Sequence, residues 1–417
     1  MKFLILNAGS SSQKSCLYDL PGDHLPETIP EPLWEAFIDW TVLANQGRLT
    51  VETAGQKQVI ILETGDRQQG IARMLDTLVT GDDAVLKSLA EIDLVGHRVV
   101  HGGTDHAEAT LITPAVQQAI ADLIPLAPAH NPAHLEGIEA ISALLGEVPQ
   151  IAVFDTAFHR TIPAPAAEYA IPQAWTNLGI RRYGFHGTSH KYCAQKTAEI
   201  LGKPLADLKL ITCHIGNGAS LTAIKNGVSI DTTMGFTPLE GLMMGARSGS
   251  IDPAIVLFLQ ETQGLTPAEI NTTLNKKSGL LGVSGRSADL RAILQAKAQG
   301  NAQAQLAYAM YIHRFRRCLG AMVASLEGLD TLVFTAGVGE NATTVRADVC
   351  QGFEFLGLKL DPELNDRSPR DTVISTPDSP VNVVIIHTEE DWAIAQDCWH
   401  WWHRQEIDLK TEENIRK

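Results

Sequence analysis

Apolar residues in this chain come in short unbroken runs that stop at clusters of small or polar residues. Phe3-Leu4-Ile5-Leu6 stops at Asn7-Ala8-Gly9-Ser10-Ser11-Ser12. Four consecutive apolar residues predict a strand buried on both faces, and Ala8-Gly9 allows a tight turn after it. A second strand starts near Ser15-Cys16-Leu17-Tyr18. The same design returns about 200 residues later, where Leu208-Lys209-Leu210-Ile211-Thr212-Cys213 runs into His214-Ile215-Gly216-Asn217-Gly218-Ala219-Ser220. A third strand, Leu332-Val333-Phe334, ends in the Gly-rich turn Thr335-Ala336-Gly337-Val338-Gly339-Glu340-Asn341. Two such hairpins predict an internal duplication of one α/β domain, with a period too long for a solenoid.

The rest of the pattern fills in the elements. Residues 15–75 read as a small antiparallel sheet with a polar, Pro-rich insertion at 21–32. Helical periodicity covers 71–89, 115–124, 135–145, 190–201, 302–326 and 389–407. Strands are predicted at 94–100 and 151–154. Trp392, Trp399 and Trp402 share one face of the last helix and predict packing against the N-terminal domain, with 408–417 as a frayed tail. Residues 231–253 form a long Gly-rich loop, and such loops are more often functional than idle. Ser284 to Arg291 begins a further helix.

Bulk properties narrow the class. The 417 residues suffice for two domains. A formal charge of −15 argues against nucleic acid or an anionic membrane as partner, yet leaves room for a small anion in a local basic site. No apolar run approaches a membrane span, and the N-terminus enters a strand directly, without a signal peptide. Cys16, Cys193, Cys213, Cys318, Cys350 and Cys398 lack ligand spacing and read as free thiols of a reducing cytosol.

Candidate chemistry sits where the runs stop. A strand, a small-residue turn and Lys14 make a phosphate cradle, with backbone N–H groups and hydroxyls taking oxygens; a polar hairpin turn would use the same residues. Arg98 lies inside the apolar run before Gly102-Gly103, where a lone charge is costly unless paired, and reads as an anion site or an edge residue facing water. Asp155 closes a strand, the position at which open α/β sheets bind ligands, and would equally suit a helix cap. Arg181-Arg182-Tyr183-Gly184-Phe185-His186-Gly187-Thr188-Ser189-His190 is dense in donors.

The motifs at 7–14, 97–103, 128–134, 181–190, 214–220, 241–253, 337–341 and 387–395, in this order, resemble the acetokinase family over nearly the whole chain. The resemblance implies α/β architecture with duplicated actin-like (ribonuclease H-like) ATPase domains and a cleft between them. One domain would comprise 1–154 plus 390–417, the other 155–389, and the two would close on substrates. The implied reaction is reversible phosphoryl transfer from ATP to acetate, with Mg2+ or Mn2+, in a cytoplasmic homodimer that uses neither nucleic acid nor membrane. Rival readings are a propionate or butyrate kinase of the same family and a non-catalytic ATP-binding switch of the same fold.

By resemblance, Asp155, His186 and Arg247 are catalytic. Arg247 and His186 would stabilise the transferring oxygens, and Asp155 would position Arg247 or the metal, since acetate is already ionised near neutral pH. Arg98 would hold the carboxylate, as a guanidinium does bidentately, beside Val100, Ala129, His130, Phe185 and Pro238. The nucleotide would lie against Ser10, Ser12 and Lys14, then His214, Ile215, Gly216, Asn217 and Gly218. Asp289, Leu290 and Arg291 would flank the adenosine, with Gly337, Val338, Gly339, Glu340 and Asn341. Asn7 and Glu390 would hold Mg2+, a cation suited to oxygen ligands with retained waters; Glu390 also suits the first turn of a helix.

Departures from the family pattern are few. Ala129 stands where Leu is common, Ser250 where an acid is usual, and Asp391-Trp392 replace Glu-Leu. Ala129 leaves room in the pocket wall, so Ala129→Leu is expected to lower kcat/KM for propionate relative to acetate. The change should be modest, because one or two methylenes are worth ~1–3 kcal/mol in an apolar pocket. Equal propionate kcat/KM in the variant would remove this reading.

Overall fold

The computed structural model describes residues 1–9, 11–43, 46–128 and 130–416. Among these residues the strands form two sheets. The first holds β1 (Lys2–Ala8), β2 (Ser12–Asp19), β3 (Trp34–Leu43), β4 (Gln46–Thr53), β5 (Gln56–Leu62), β6 (Leu94–Val99), β7 (Thr110–Leu111) and β8 (Gln150–Phe154), in the order β5-β4-β3-β2-β1-β6-β8-β7. The second holds β9 (Lys209–Ile215), β10 (Ala219–Lys225), β11 (Val228–Thr232), β12 (Thr331–Thr335), β13 (Thr372–Val373) and β14 (Asn382–Ile385), in the order β11-β10-β9-β12-β14-β13.

The duplication expected from the two hairpins is present strand for strand. In the first sheet β3, β2 and β1 are antiparallel, β6 and β8 run parallel to β1, and β7 returns antiparallel. In the second, β11, β10 and β9, then β12 and β14, then β13 repeat that sequence of directions. Only β4 and β5 are additions. The chain divides into two compact units, Met1–Ala157 with Glu389–Lys417, and Phe158–Thr388.

In the first unit Phe3, Leu4, Ile5 and Leu6 are all buried, as a strand covered on both faces requires. One face packs Leu4 and Leu6 with Ile71, Met74 and Leu75 of the helix Arg67–Val79 and Ile141 of the helix Asn131–Leu145. The final helix, Glu390–Arg416, covers β1, β6 and β8. Its tryptophans meet this unit as their spacing predicted: Trp392 lies edge-on to Tyr18 at 5.6 Å, Trp402 sits 6.5 Å from Phe3, and Trp399 Nε1 donates to the Pro21 carbonyl.

Three of the differences from the sequence expectation stand out. The helix predicted over 71–89 begins earlier, at Arg67, because Asp66 caps it by accepting from Gln69 N, and it ends at Val79 before Gly81 at φ +92°. Residues 336–341 form a helical turn straight after β12, rather than an irregular Gly-rich turn. The last helix continues to Arg416, past the expected fray.

The last helix packs tightly on β6 at Gly96. A Cβ there would lie 2.6 Å from Cys398 Sγ and 2.9 Å from Ile5 Cδ1. Gly96→Ala should therefore destabilise by ~1–3 kcal/mol through overpacking. A denaturant midpoint equal to that of the unsubstituted protein would show that the helix sits less tightly.

Candidate active site

Parallel strands bring their carboxyl ends to one edge. In the first unit β1, β6 and β8 carry Asn7, Arg98 and Asp155 there. Arg98 donates from Nε and Nη2 to the two Asp155 oxygens at 2.9 and 2.7 Å, and from Nη1 to Asn7 Oδ1 at 3.2 Å. Asn7 Nδ2 donates to Asp391 Oδ1 at 3.0 Å and to Glu390 Oε2 at 3.3 Å. Burial alone would lower the Arg98 pKa; Asp155 and then Glu390 outweigh it and raise it, so the guanidinium stays charged.

Two of the expected site residues have partners within this unit. Asp155 grips Arg98 within its own unit, where the sequence reading gave it the job of positioning Arg247 or a metal. Lys14, expected as a phosphate cation, is paired with Asp391 at 2.8 Å and Glu35 at 3.2 Å. Its place opposite Asn7 in the β1–β2 register puts it among carboxylates. The turn before it is closed by Gly9 N donating to the Ser12 carbonyl at 2.7 Å. Val100 is buried, and His130 precedes the helix Asn131–Leu145 as its cap residue. Ser10 and Ala129 lie outside the described residues.

In the second unit His186 sits at φ +59° and starts the helix Gly187–Leu201. The preceding chain is held by His159, whose Nε2 donates to the Phe185 carbonyl at 2.9 Å. The His186 ring stacks on His214 with centroids 4.1 Å apart. A Cβ on Gly218 would lie 3.5 Å from Arg247 Nη1 and 3.7 Å from His186 Nε2, so both groups converge over that glycine. Arg247 Nη1 donates to the Pro238 carbonyl at 3.0 Å. Burial lowers the Arg247 pKa, and among the described residues no carboxylate pairs with it. A half-buried guanidinium in that state is suited to an anion.

The loop that carries Arg247 is tied at its base. Ser250 Oγ accepts from Gly241 N at 3.0 Å, and Ser250 N donates to the Gly241 carbonyl at 3.1 Å. This gives Ser250 the structural reading the sequence lacked. Gly245 in the same loop admits no side chain, since a Cβ would fall 2.3 Å from Asn217 Oδ1.

Beside this loop lies a cavity of about 780 Å³. Gly216, Asn217, Asp289, Leu290, Arg291, Gly337, Val338 and Asn341 line it, and the resemblance set each of these against the nucleotide. Asp289 is pulled below its usual range first by the Arg291 side chain and then by the Arg291 backbone N–H. Leu280, Leu294 and Tyr311 also line the cavity and were missed, because nothing local marks an apolar residue as a wall. Other expected contacts fall elsewhere. Ile215 is wholly buried, and His214 lies under His186. Gly339 and Glu340 turn away from the cavity. The Glu340 carboxylate meets His387 Nδ1 at 2.6 Å and accepts from Thr388 N at 3.3 Å. Arg346, fully buried and also missed, donates to the Gly339 and Glu340 carbonyls at 2.8 and 2.7 Å and so pins that helical turn.

Comparison with known proteins decides what these features belong to. Residues 2–396 match the acetokinase family. The chain belongs to the acetokinase family. It is 93% identical to the acetate kinase of Synechocystis sp. over 407 residues, covering 97% of this chain and 98% of that one. The crystal structure of Porphyromonas gingivalis acetate kinase matches at TM-score 0.85 and 44% identity, covering 95% and 98% of the two chains. A propionate kinase from Francisella tularensis matches at TM-score 0.86 and 39% identity, with the same coverage. The fold is therefore the actin-like ATPase fold of this acetokinase group.

His97 and His101 sit near Arg98 in the chain and are both lowered to about 4, chiefly by burial. They stay neutral in the folded protein while the unfolded chain protonates near pH 6.5. The unfolded state then binds more protons between these values, so stability should fall as pH drops from about 6.5 to 4, by on the order of 3 kcal/mol per histidine. Denaturant midpoints measured from pH 7.5 to 4.5 test this, and a flat profile would contradict it.

Proposed function

We propose that this protein transfers the γ-phosphoryl group of ATP to acetate, reversibly, giving acetyl phosphate and ADP by direct in-line displacement. The observation that carries the reading is Arg247, a half-buried guanidinium facing His186 over Gly218 with no carboxylate beside it among the described residues. Phosphoryl transfer needs positioning and positive charge around the moving group, with little covalent help. Arg247 and His186 supply charge and a donor. The cavity beside them takes the adenosine, with Leu280, Leu290, Leu294 and Tyr311 offering apolar surface to the base.

Arg98 is the carboxylate ligand in this reading. A guanidinium has five N–H donors; Asp155 and Asn7 occupy three, and the others remain for acetate. Asp155 then works as a positioning residue that holds Arg98 in one orientation. No general base is required, because the acceptor is ionised at neutral pH. Glu390 would hold Mg2+ with Asn7 orienting it, and a hard cation with few protein ligands suits this oxygen set. Such an ion neutralises charge on the β- and γ-phosphate oxygens.

Two further features support the family's usual setting. The helix Ala254–Gln263 exposes Ile255, Leu257 and Phe258 at 45, 60 and 60%, an apolar face suited to a second copy of the chain in a homodimer. Among the described residues the cysteines form no disulfide, in keeping with the cytoplasm, and no helix is long and apolar enough to cross a membrane. A three-carbon acceptor is the second reading, favoured by the likeness to the Francisella propionate kinase.

The test is hydroxamate trapping of acyl phosphate with acetate, propionate and butyrate, with and without Mg2+. Acetate should give product only with the metal. Arg247→Ala should lower kcat by ~10²–10³. Arg98→Ala should raise KM for acetate with little change in KM for ATP. ATP hydrolysis at the same rate without any carboxylate would point instead to a non-catalytic switch.

A further inference from the structure

Behind His186 runs a chain of buried hydrogen bonds that the reaction as described does not use. His186 Nδ1 and His190 Nε2 both meet Ser220 Oγ, at 2.8 and 2.7 Å, and His190 Nδ1 meets Thr212 Oγ1 at 2.7 Å. His190, Ser220 and Thr212 are each 0% exposed. They come from the helix Gly187–Leu201, from β10 and from β9, so the fold itself aligns them.

The direction of this chain follows from donor counting. Ser220 has one hydroxyl hydrogen and lies between two ring nitrogens; if it accepted from both, that hydrogen would have no side-chain acceptor among the described residues, so the satisfied arrangement has it donate to one and accept from the other. Burial drives the His190 pKa well below its usual value, so its ring carries a single proton. Thr212 is buried, and its hydroxyl has His190 Nδ1 as its one side-chain partner among the described residues. If His190 carried its proton on Nδ1, the Thr212 hydrogen would be left without an acceptor, a cost of ~1–3 kcal/mol. The satisfied arrangement has Thr212 donating to His190 Nδ1, His190 Nε2–H donating to Ser220, and Ser220 donating to His186 Nδ1. The His186 proton then resides on Nε2, the nitrogen on the Gly218 side.

We propose that Thr212, His190 and Ser220 are positioning residues that hold His186 as the neutral Nε2–H tautomer, a hydrogen-bond donor to the transferring phosphoryl oxygens without needing to be charged. The groups facing His186 fit this assignment. His214 stacks on it from β9, His190 lies on its own helix with centroids 6.4 Å away, and Arg247 shares the space over Gly218. A guanidinium so close disfavours an imidazolium. In this tautomer the Nε2–H donor is present without a charge on the ring, so the donor function does not call for protonation. The catalytic part rests on the proposed phosphoryl-transfer reading; the tautomer does not.

The tautomer is read directly in the intact protein without substrate. With 15N-labelled histidine, the resonances lost in His186→Asn identify that ring, and its nitrogen shifts should mark Nε2 as protonated and Nδ1 as bare at pH 7.5. A protonated Nδ1 in the neutral ring overturns the proposal, whatever the enzyme's reaction. The kinetic arm uses Ser220→Ala, which removes the donor to Nδ1. In this variant kcat should fall about tenfold at pH 8, less than the ~10²–10³ of removing a donor outright. It should recover on acidification, where protonation restores a hydrogen to Nε2, at a pH below the free-histidine value of about 6.5 because Arg247 is close. Ser220→Thr, which keeps the hydroxyl, should restore the profile of the unsubstituted enzyme. A Ser220→Ala profile that merely parallels the unsubstituted enzyme at lower activity would assign Ser220 a packing role only and reject the proposal.

Discussion

A guanidinium taken out of water must meet either a counter-charge or a full set of acceptors, and this protein meets the demand in three ways. Arg98 is matched by Asp155 in a two-bond fork, so its charge is settled before any substrate arrives. Arg346 has only neutral acceptors, from Gly339, Glu340, Asn365 and Ser368, and serves as a rigid internal brace. Arg247 has one carbonyl and a thioether, with no carboxylate among the described residues. It is the least compensated of the three, and an anion is what would complete it. A charged group kept short of partners stores binding energy for a ligand that brings negative charge.

The duplicated sheet shows how one backbone plan serves two chemistries. In both units a hairpin ends at the sheet edge and parallel strands deliver side chains beside it. In the first unit that edge is filled with paired ions, where Asn7 links Arg98 to Glu390 and Asp391. In the second, the hairpin tip is stripped to Gly216, Asn217 and Gly218, which clears space for Arg247 and His186 above and for the cavity beside it. Polar residues at the first tip and glycines at the second account for the difference, because strand directions are the same.

Much of this was legible from the chain. The runs at 3–6 and 210–213 and their following turns marked the duplication, since a strand buried on both faces has a simple signature. Arg98 and Asp155 stood out because a charge at the end of an apolar run needs a reason. Their pairing could not be read, because β6 and β8 become neighbours only through a parallel crossover. The pairing of Lys14 was hidden for a related reason: the carboxylates it meets arrive from β3 and from the far end of the chain. The orientation of Glu340 was hidden because it sits in a motif whose neighbours do line the cavity, and a helical turn points adjacent residues in different directions. No local pattern distinguishes Leu280 or Tyr311 from any other buried apolar residue.

The sequence by itself therefore determined the fold class, the repeat and the list of residue types from which the site is drawn. These depend on local hydrophobic periodicity and on steric demands that neighbours along the chain largely decide. The tertiary structure alone decided which charge neutralises which, which residues of a motif reach the cavity, and in which direction the hydrogen-bond chain behind His186 runs. Ion pairing and tautomer depend on distances of a few ångströms between atoms separated by tens to hundreds of residues, and only the completed packing sets those distances.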